Sequence, residues 1–355
     1  ENNSQKAVEN IRTYVRINQE EYTVPAADNT HTQADPHKDI PETLTNRDIL
    51  DRIGEFVDES SLSGYQQKGL NAYRQQKQLL LELETEKQQQ QALLSEQQAQ
   101  GASEGELQQT QDNIAQLDAQ IESATQKLQR AEKRRGAISA VRRAKQRIYH
   151  NYQQTALQIF RLQEKLVEQN RKLQEQYADL HALENTQTDN AEALRQQIRS
   201  RITNITAEID GIYAQLQDAG KNMVKEKSLA SAVIDPADRK TLLFDDKKIV
   251  TVNGKQVVLI DGLFDPGFVD ENGNTNLERM AKGRAPYGTD GRYLNIHHLD
   301  QTDASVVVAI PETLHHKYDS MLHSNTGQAP SQINRNAFGK WRSTYWKWAG
   351  QQFNG

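Results

Sequence analysis

Cysteine is absent from all 355 residues, which excludes disulfides and any zinc site built on thiolates. Long apolar runs are absent too. None approaches the ~20 residues that a membrane-spanning helix needs, and no signal peptide is visible. Apolar residues make up only 35% and aromatics 6%, less than a globular chain of this size usually carries. One large core is therefore excluded, and burial must be confined to narrow seams. An excess of positive charge is also missing: the formal net charge is -5, so the total does not mark a nucleic-acid binder. The length suggests two or three domains unless the architecture is elongated. The chain starts at Glu1 without a methionine, and we expect a fragment or a processed product.

Proline is missing from one long stretch. It occurs at Pro25, Pro36 and Pro41 and not again until Pro236. Glycine is scarce in that interval, so the two residues that break or weaken helices are largely withheld from it. What is present is helical periodicity. Ile159, Leu162, Leu166, Leu173 and Leu180 step by three, four and seven, and Leu194, Ile198, Ile202, Ile205, Ile209, Ile212 and Leu216 by three or four. Ile114, Leu117, Ile121 and Leu128 behave likewise, a coiled-coil pattern. Breaks at "GASEGE" (101–106) and "NTQTDN" (185–190) read as turns between antiparallel helices. We expect helices at about 64–100, 107–184 and 191–230. The middle one, if unbroken, would run roughly 117 Å, with each outer helix folding back along half of it and Gly136 as a possible kink. The expectation is an antiparallel coiled-coil rod over 61–230.

The junction "KLQRAEKRRGAISAVRRAKQR" (127–147) holds nine Lys or Arg against one Glu. Two readings stay open: a contact to nucleic acid or an anionic membrane, or a solvated face docked on the first 60 residues, which hold 13 acids and 6 bases. Residues 1–60 read as linker plus a short amphipathic helix opened by Thr45 or Asn46. In 231–279, "KKIVTVNGKQVVLI" has two β-branched runs around Asn253-Gly254, a hairpin signal. The acids that follow, Asp261, Asp265, Asp270 and Glu271, invite a calcium reading. Their spacing fails the EF-hand loop, however, and turn-forming residues explain them better.

Histidine is the other scarce residue: nine in all, of which His297, His298, His315, His316 and His323 fall in one window. "RYLNIHHL" reads as a strand, "ASVVVAI" as its partner, and "PETLHHKYDSMLHS" as a helix begun at Pro311. The strand end and the helix can then converge, so that neutral imidazoles and a carboxylate hold a divalent metal and a spare imidazole activates water. His316, Asp319 and His323 share a face of one continuous helix. His316 and His323 would stand roughly 10 Å apart along it, so both cannot bind one ion unless the helix ends or bends. The expectation is one histidine from the strand and one or two from the helix, the rest binding phosphate or orienting the others.

"MAKGRAPYGTDGRYLNIHHLDQ", then "VVVAIPETLHHKYDSMLH", then "RSTYWKW" resemble the LHH nucleases of the HNH/Endonuclease VII superfamily, C-terminal toxin domains of bacterial polymorphic toxins. The matching pieces are Gly283, Ala285, Pro286, Asp290-Gly291, the histidine pair with Gln301, Leu322-His323 and Tyr345-Trp346-Lys347. Ile296 stands where the name-giving leucine would be. The resemblance implies a ββα-metal, treble-clef-like nuclease over 280–355 with one Mg, Mn or Zn ion. His297 would be the ligand at the strand end, His298 the general base and His323 a ligand from the helix. His316 is assigned as ligand or phosphate contact, with His315 left open beside it. Arg284, Arg292, Lys340, Arg342 and Lys347 are candidates for DNA phosphates, while Trp341, Trp346 and Trp348 are assigned to the core. From 270 to 355 there are nine bases and eight acids, a weak footprint for DNA.

The fold class expected is mostly α, with antiparallel helical hairpins followed by a small α+β nuclease domain. The function expected is that of an interbacterial toxin cutting DNA, made in the bacterial cytoplasm and delivered to that of a target cell. An immunity protein would restrain it, and the helices would meet a receptor or secretion apparatus. The alternatives are a defence or repair nuclease without an immunity partner, and a non-catalytic coiled-coil adaptor.

Overall fold

The computed structural model describes residues 40–184, 189–325, 327 and 329–353. The linker expected before residue 40 and residues 185–188 of the turn expected at 185–190 lie outside them, while Asp189 and Asn190 already belong to a helix. The described residues form two compact units, Thr43–Ile148 and a second made from Tyr149 onwards together with residues 40–42.

The first unit contains α1 (Asn46–Asp51), α2 (Ile53–Phe56), α3 (Gly64–Gln100), α4 (Glu104–Glu132) and the start of α5 (Arg135–Ala182). Thr45 is the cap of α1, its hydroxyl and the Asp48 carboxylate satisfying each other's backbone N–H groups. Ser63 with Gln66 and Ser103 with Glu106 repeat that device on α3 and α4. Gly101 ends α3 in the left-handed region (φ 69°), where a side chain would be strained. The chain then reverses. Gln97 meets Thr110 at 2.8 Å and Lys87 meets Asp118 at 2.5 Å, pairings whose opposite progression makes α3 and α4 antiparallel. Periodicity alone suggests one helix over about 107–184, but the structure has two, separated at Lys133-Arg134. The break precedes Gly136, which has its own role. A Cβ on Gly136 would lie 2.3 Å from the Tyr65 carbonyl, and one on Gly69 would lie 2.3 Å from the Ala137 nitrogen. The two backbones touch there. Gly136→Ala is expected to lower the melting temperature of the full chain by an overpacking cost of about 1–3 kcal/mol, although alanine is the better helix former. Melts followed by circular dichroism check this, and an unchanged or raised midpoint refutes it. Lys127, Arg130, Lys133, Arg134, Arg142, Arg143 and Arg147 are all exposed, and Glu132 pairs with Arg47.

The second unit holds the rest of α5, then α6 (Asp189–Val233), α7 (Arg239–Leu242), β1 (Ile249–Val252), β2 (Lys255–Val258), α8 (Asn276–Ala281), β3 (Leu294–His298), β4 (Val307–Pro311), α9 (Glu312–Lys317), α10 (Asp319–Leu322) and α11 (Arg335–Gln351). α5 and α6 run antiparallel. Arg195 donates to the Leu183 carbonyl at one end (2.7 Å), while Tyr152 and Lys227 both reach Asp245 at the other. Asn253 (φ 47°) and Gly254 (φ 78°) make the two-residue turn of the β1–β2 hairpin. That hairpin joins the histidine strands in one sheet of order β1-β2-β4-β3, with β2 and β4 parallel and β3 and β4 antiparallel.

The sheet is covered on both faces, so β4 is apolar without alternation. Val308 and Ile310 face a core shared with Tyr152, Leu157, Phe160 and Ile212 of the α5–α6 hairpin. Val307 and Ala309 face a second core with Met280 of α8 and Tyr345 and Trp346 of α11. Trp341 and Trp348 pack against this second core, and Trp341 donates to the Val252 carbonyl at 2.9 Å. The Asp270 loop is a turn: its carboxylate accepts the N–H groups of Asn272 and Asn274 at 2.9 Å each and pairs with buried Arg279 at 2.6 Å. These bonds hold the Asp270 carboxyl down at about 2, the backbone N–H of Asn274 contributing most. No helix of the described residues is long and apolar enough to cross a membrane.

Candidate active site

β3 delivers two histidines to opposite faces of the sheet, because successive side chains on a strand alternate. His297 turns towards the helical hairpin, where the Gln153 side chain meets its Nε2 at 3.3 Å. His298 turns towards α11, where the Phe338 ring lies edge-on at 4.4 Å. Nε2 of His298 is buried and has no hydrogen-bond partner among the described residues.

The remaining histidines are placed by a break in the helix. α9 ends at Tyr318 (φ −107°, ψ 14°) and α10 restarts at once, leaving His323 as an extended residue after α10. Tyr318 causes the break's geometry through its tether: its hydroxyl accepts the Asp235 N–H at 3.0 Å and donates to Asp238 at 2.9 Å, just beyond α6. The result brings His323 back against His315, with ring centroids 4.9 Å apart and His297 at 5.1 and 5.7 Å from the two. One ring nitrogen from each of His297, His315 and His323 lies within 4.8 Å of the others. His316 is not brought to this trio. Its side chain is 72% exposed and faces Glu312 at 3.6 Å.

Around the trio, polar contacts hold the rings of His297 and His323. His323 Nδ1 meets the Asp319 carbonyl at 3.1 Å and its carboxylate at 3.0 Å, two acceptors that place the proton on this nitrogen. Gln301, at φ 58°, accepts the N–H of Asn325 (2.8 Å) and donates to its carbonyl (2.9 Å), latching the chain after His323 to the end of β3. Asp290 accepts the N–H and hydroxyl of Thr313 at 3.1 and 2.8 Å, satisfying the first turn of α9, which Pro311 cannot cap with a side chain. Burial pushes the His297 pKa well down, helped by His323 and His315, and it also lowers that of His315. For His298 burial, then the charges of Lys255 and Arg335, pull it down to about 4. His297, His298 and His315 are therefore neutral at physiological pH, the state in which imidazole binds a metal or takes a proton.

A cleft of about 690 Å³ opens over these groups, lined by His297, His298, His315 and His323 and by Arg279, Arg284, Arg335 and Arg342. Of the five bases that the sequence suggests for phosphate, Arg284 and Arg342 line it. Arg292, Lys340 and Lys347 are exposed elsewhere, Arg292 beside Glu312 at 3.4 Å. Arg335 was not singled out from sequence, although it stands seven residues before Arg342 and so shares its face of α11. Arg279 is committed to Asp270 and to the faces of Tyr287 and Tyr293, at 4.6 and 5.0 Å, so it builds the cleft wall.

Two antiparallel strands followed by a helix, with a histidine pair closing the first strand and further histidines beyond the second, are the framework of a ββα nuclease. The comparison with known families agrees. Residues 275–352 match the model of a family described as a nuclease of the HNH/ENDO VII superfamily with conserved LHH, and this segment is an LHH nuclease domain. No solved structure matches the chain.

Proposed function

We propose that this protein is a metal-dependent endonuclease that hydrolyses DNA phosphodiester bonds with little sequence preference, and that it acts as a toxin between bacteria. The observation that carries the reaction is one arrangement. A neutral imidazole whose buried Nε2 has no partner among the described residues, His298, follows the first member of a trio of imidazoles in an arginine-lined cleft. The trio fits a divalent cation, since two of its members are held neutral by burial and the third has its proton placed on Nδ1 by Asp319. Its all-nitrogen donor set suits zinc-like ions better than magnesium. Such an ion, when bound, stabilises the charge that develops on the phosphate and on the leaving oxygen.

The rest of the chemistry belongs to the chain. His297, His315 and His323 hold the ion. His298 accepts a proton from the attacking water through Nε2, water's oxygen bonds to phosphorus, and the bond from phosphorus to the leaving 3′ oxygen breaks. Arg284, Arg335 and Arg342 hold phosphate oxygens along the cleft. Phe338 shields the base from bulk water.

Plasmid nicking with Mg²⁺, Mn²⁺, Zn²⁺ or EDTA tests this. Cleavage is expected to require a divalent ion and to stop with EDTA. His315→Ala is expected to lose it by at least about 10²-fold, while His316→Ala stays within about 2-fold of the parent. Intact DNA under every metal, or a His316→Ala loss equal to that of His315→Ala, sinks the assignment.

The toxin part of the proposal is supported by the resemblance of the C-terminal segment to toxin domains. A nuclease made in the bacterial cytoplasm needs restraint, so a cognate immunity protein belongs to the proposal. So does delivery into a target cell, with the helical hairpins docking on a receptor or secretion apparatus. Expression should kill unless the neighbouring open reading frame is co-expressed; survival without it argues for a defence or repair nuclease instead.

A further inference from the structure

Gln153 lies within α5 on the face that carries Tyr149, Tyr152, Ala156, Leu157 and Phe160, all of them buried. It is itself only 1% exposed. A carboxamide in such a seam is unfavourable unless its polar atoms are bonded, and an apolar residue would be the ordinary choice there. Its partner is His297. The carboxamide meets Nε2 at 3.3 Å, across 144 positions of sequence.

The contact has a counterpart on the other side of the trio. Asp319 engages one ring nitrogen of His323, as Gln153 engages one ring nitrogen of His297. Metal-binding imidazoles are held in this way, with an outer partner setting ring tilt and tautomer while the other nitrogen faces the ion. The carboxamide suits an apolar seam because it is uncharged. Its nitrogen is the atom set against Nε2, and the end-for-end turn open to any carboxamide puts its carbonyl oxygen there instead, to accept the Nε2–H and leave the Nδ1 lone pair for the ion. About two turns further along α5, Arg161 bridges Asp300 at 3.2 Å. One helix therefore grips the strand end at His297 and again just beyond the histidine pair.

We propose that Gln153 is a positioning residue of the metal centre. It is supplied by the helical hairpin and lies outside the segment 275–352 that matches the nuclease family. The helices thus complete the first ligand's setting as well as covering the sheet. This inference rests on the metal-site reading above.

The test is the affinity of the full-length, metal-stripped protein for Zn²⁺, read by competition with a chromophoric chelator, beside the melting temperature of the metal-free form. Gln153→Leu keeps the volume and removes the bond, Gln153→Met does the same with a different shape should the first fail to fold, and His297→Ala marks loss of the ligand. Zn²⁺ affinity is expected to fall about 10–100-fold in Gln153→Leu with the metal-free melting temperature little changed. Unchanged or tighter binding overturns the proposal. So does a fall in affinity that merely follows a fall in the melting temperature, since that is a packing role. Wild-type protein with no saturable binding, indistinguishable from His297→Ala, fails the site reading itself and takes this inference with it.

Discussion

A His298→Ala protein is expected to fold and bind metal like the parent, yet to cut DNA about 10²–10⁴-fold more slowly, the range that a positioned proton acceptor contributes. The expectation depends on how His298 differs from its neighbour. His297 turns into the trio and is held there by Gln153. His298 turns to the other face of the sheet, against Phe338, and its Nε2 bonds to nothing among the described residues. On the proposed reading, removing His298 subtracts a proton acceptor and leaves the three candidate metal donors in place. Removing His297 takes away a donor. The two variants should differ in kind: His298→Ala loses rate with Zn²⁺ affinity unchanged, while His297→Ala loses both. Single-turnover cleavage and chelator competition, done on the same preparations, check the distinction. Equal loss of metal affinity in both variants would make His298 a ligand and leave the base unassigned.

How far the residues alone foretell this site depends on whether the cause is local. Caps and turns are local, so Thr45, the break at Gly101 and Asn253-Gly254 announce themselves. The strand–strand–helix order around the histidines is also local, carried by β-branched runs and by Pro311. The choice between His315 and His316 is not. Seven-residue spacing puts His316 and His323 on one face only if the helix is continuous, and it breaks at Tyr318. Nothing in "HHKYDSMLH" requires that break. It is stabilised by Asp235 and Asp238, some 80 residues earlier, bonding the Tyr318 hydroxyl. The same limit applies to the parallel pairing of β2 with β4 and to Gln153, whose position in the heptad pattern reads as one more glutamine among many.

The second large effect concerns the boundaries of the nuclease domain. The segment 275–355, produced alone, is expected to be unfolded or aggregated and unable to bind metal, although it contains the whole family match and every histidine of the trio. Two of its surfaces belong elsewhere. β4 has β3 on one edge and β2 on the other, so without Lys255–Val258 its second edge presents unpaired backbone groups. The face of the sheet towards the hairpin carries Leu299, Val306, Val308 and Ile310, with Tyr318, Met321 and Leu322 beside them, in one core with α5 and α6. Exposing large apolar side chains costs about 1.5–3 kcal/mol each. A handful of them therefore rivals the ~5–15 kcal/mol that holds a whole domain. The helix break that seats His323 goes as well, because Asp235 and Asp238 lie outside the segment. Tyr149–Gly355, which retains the hairpin, the β1–β2 strands and Gln153, is expected to unfold cooperatively and to keep Zn²⁺ affinity near that of the full chain. Circular dichroism melts and chelator competition on the two pieces decide between these states. A cooperative transition in 275–355 with full-strength metal binding would mean that the helices only cover a self-sufficient nuclease, and Gln153 would then have no claim on its centre.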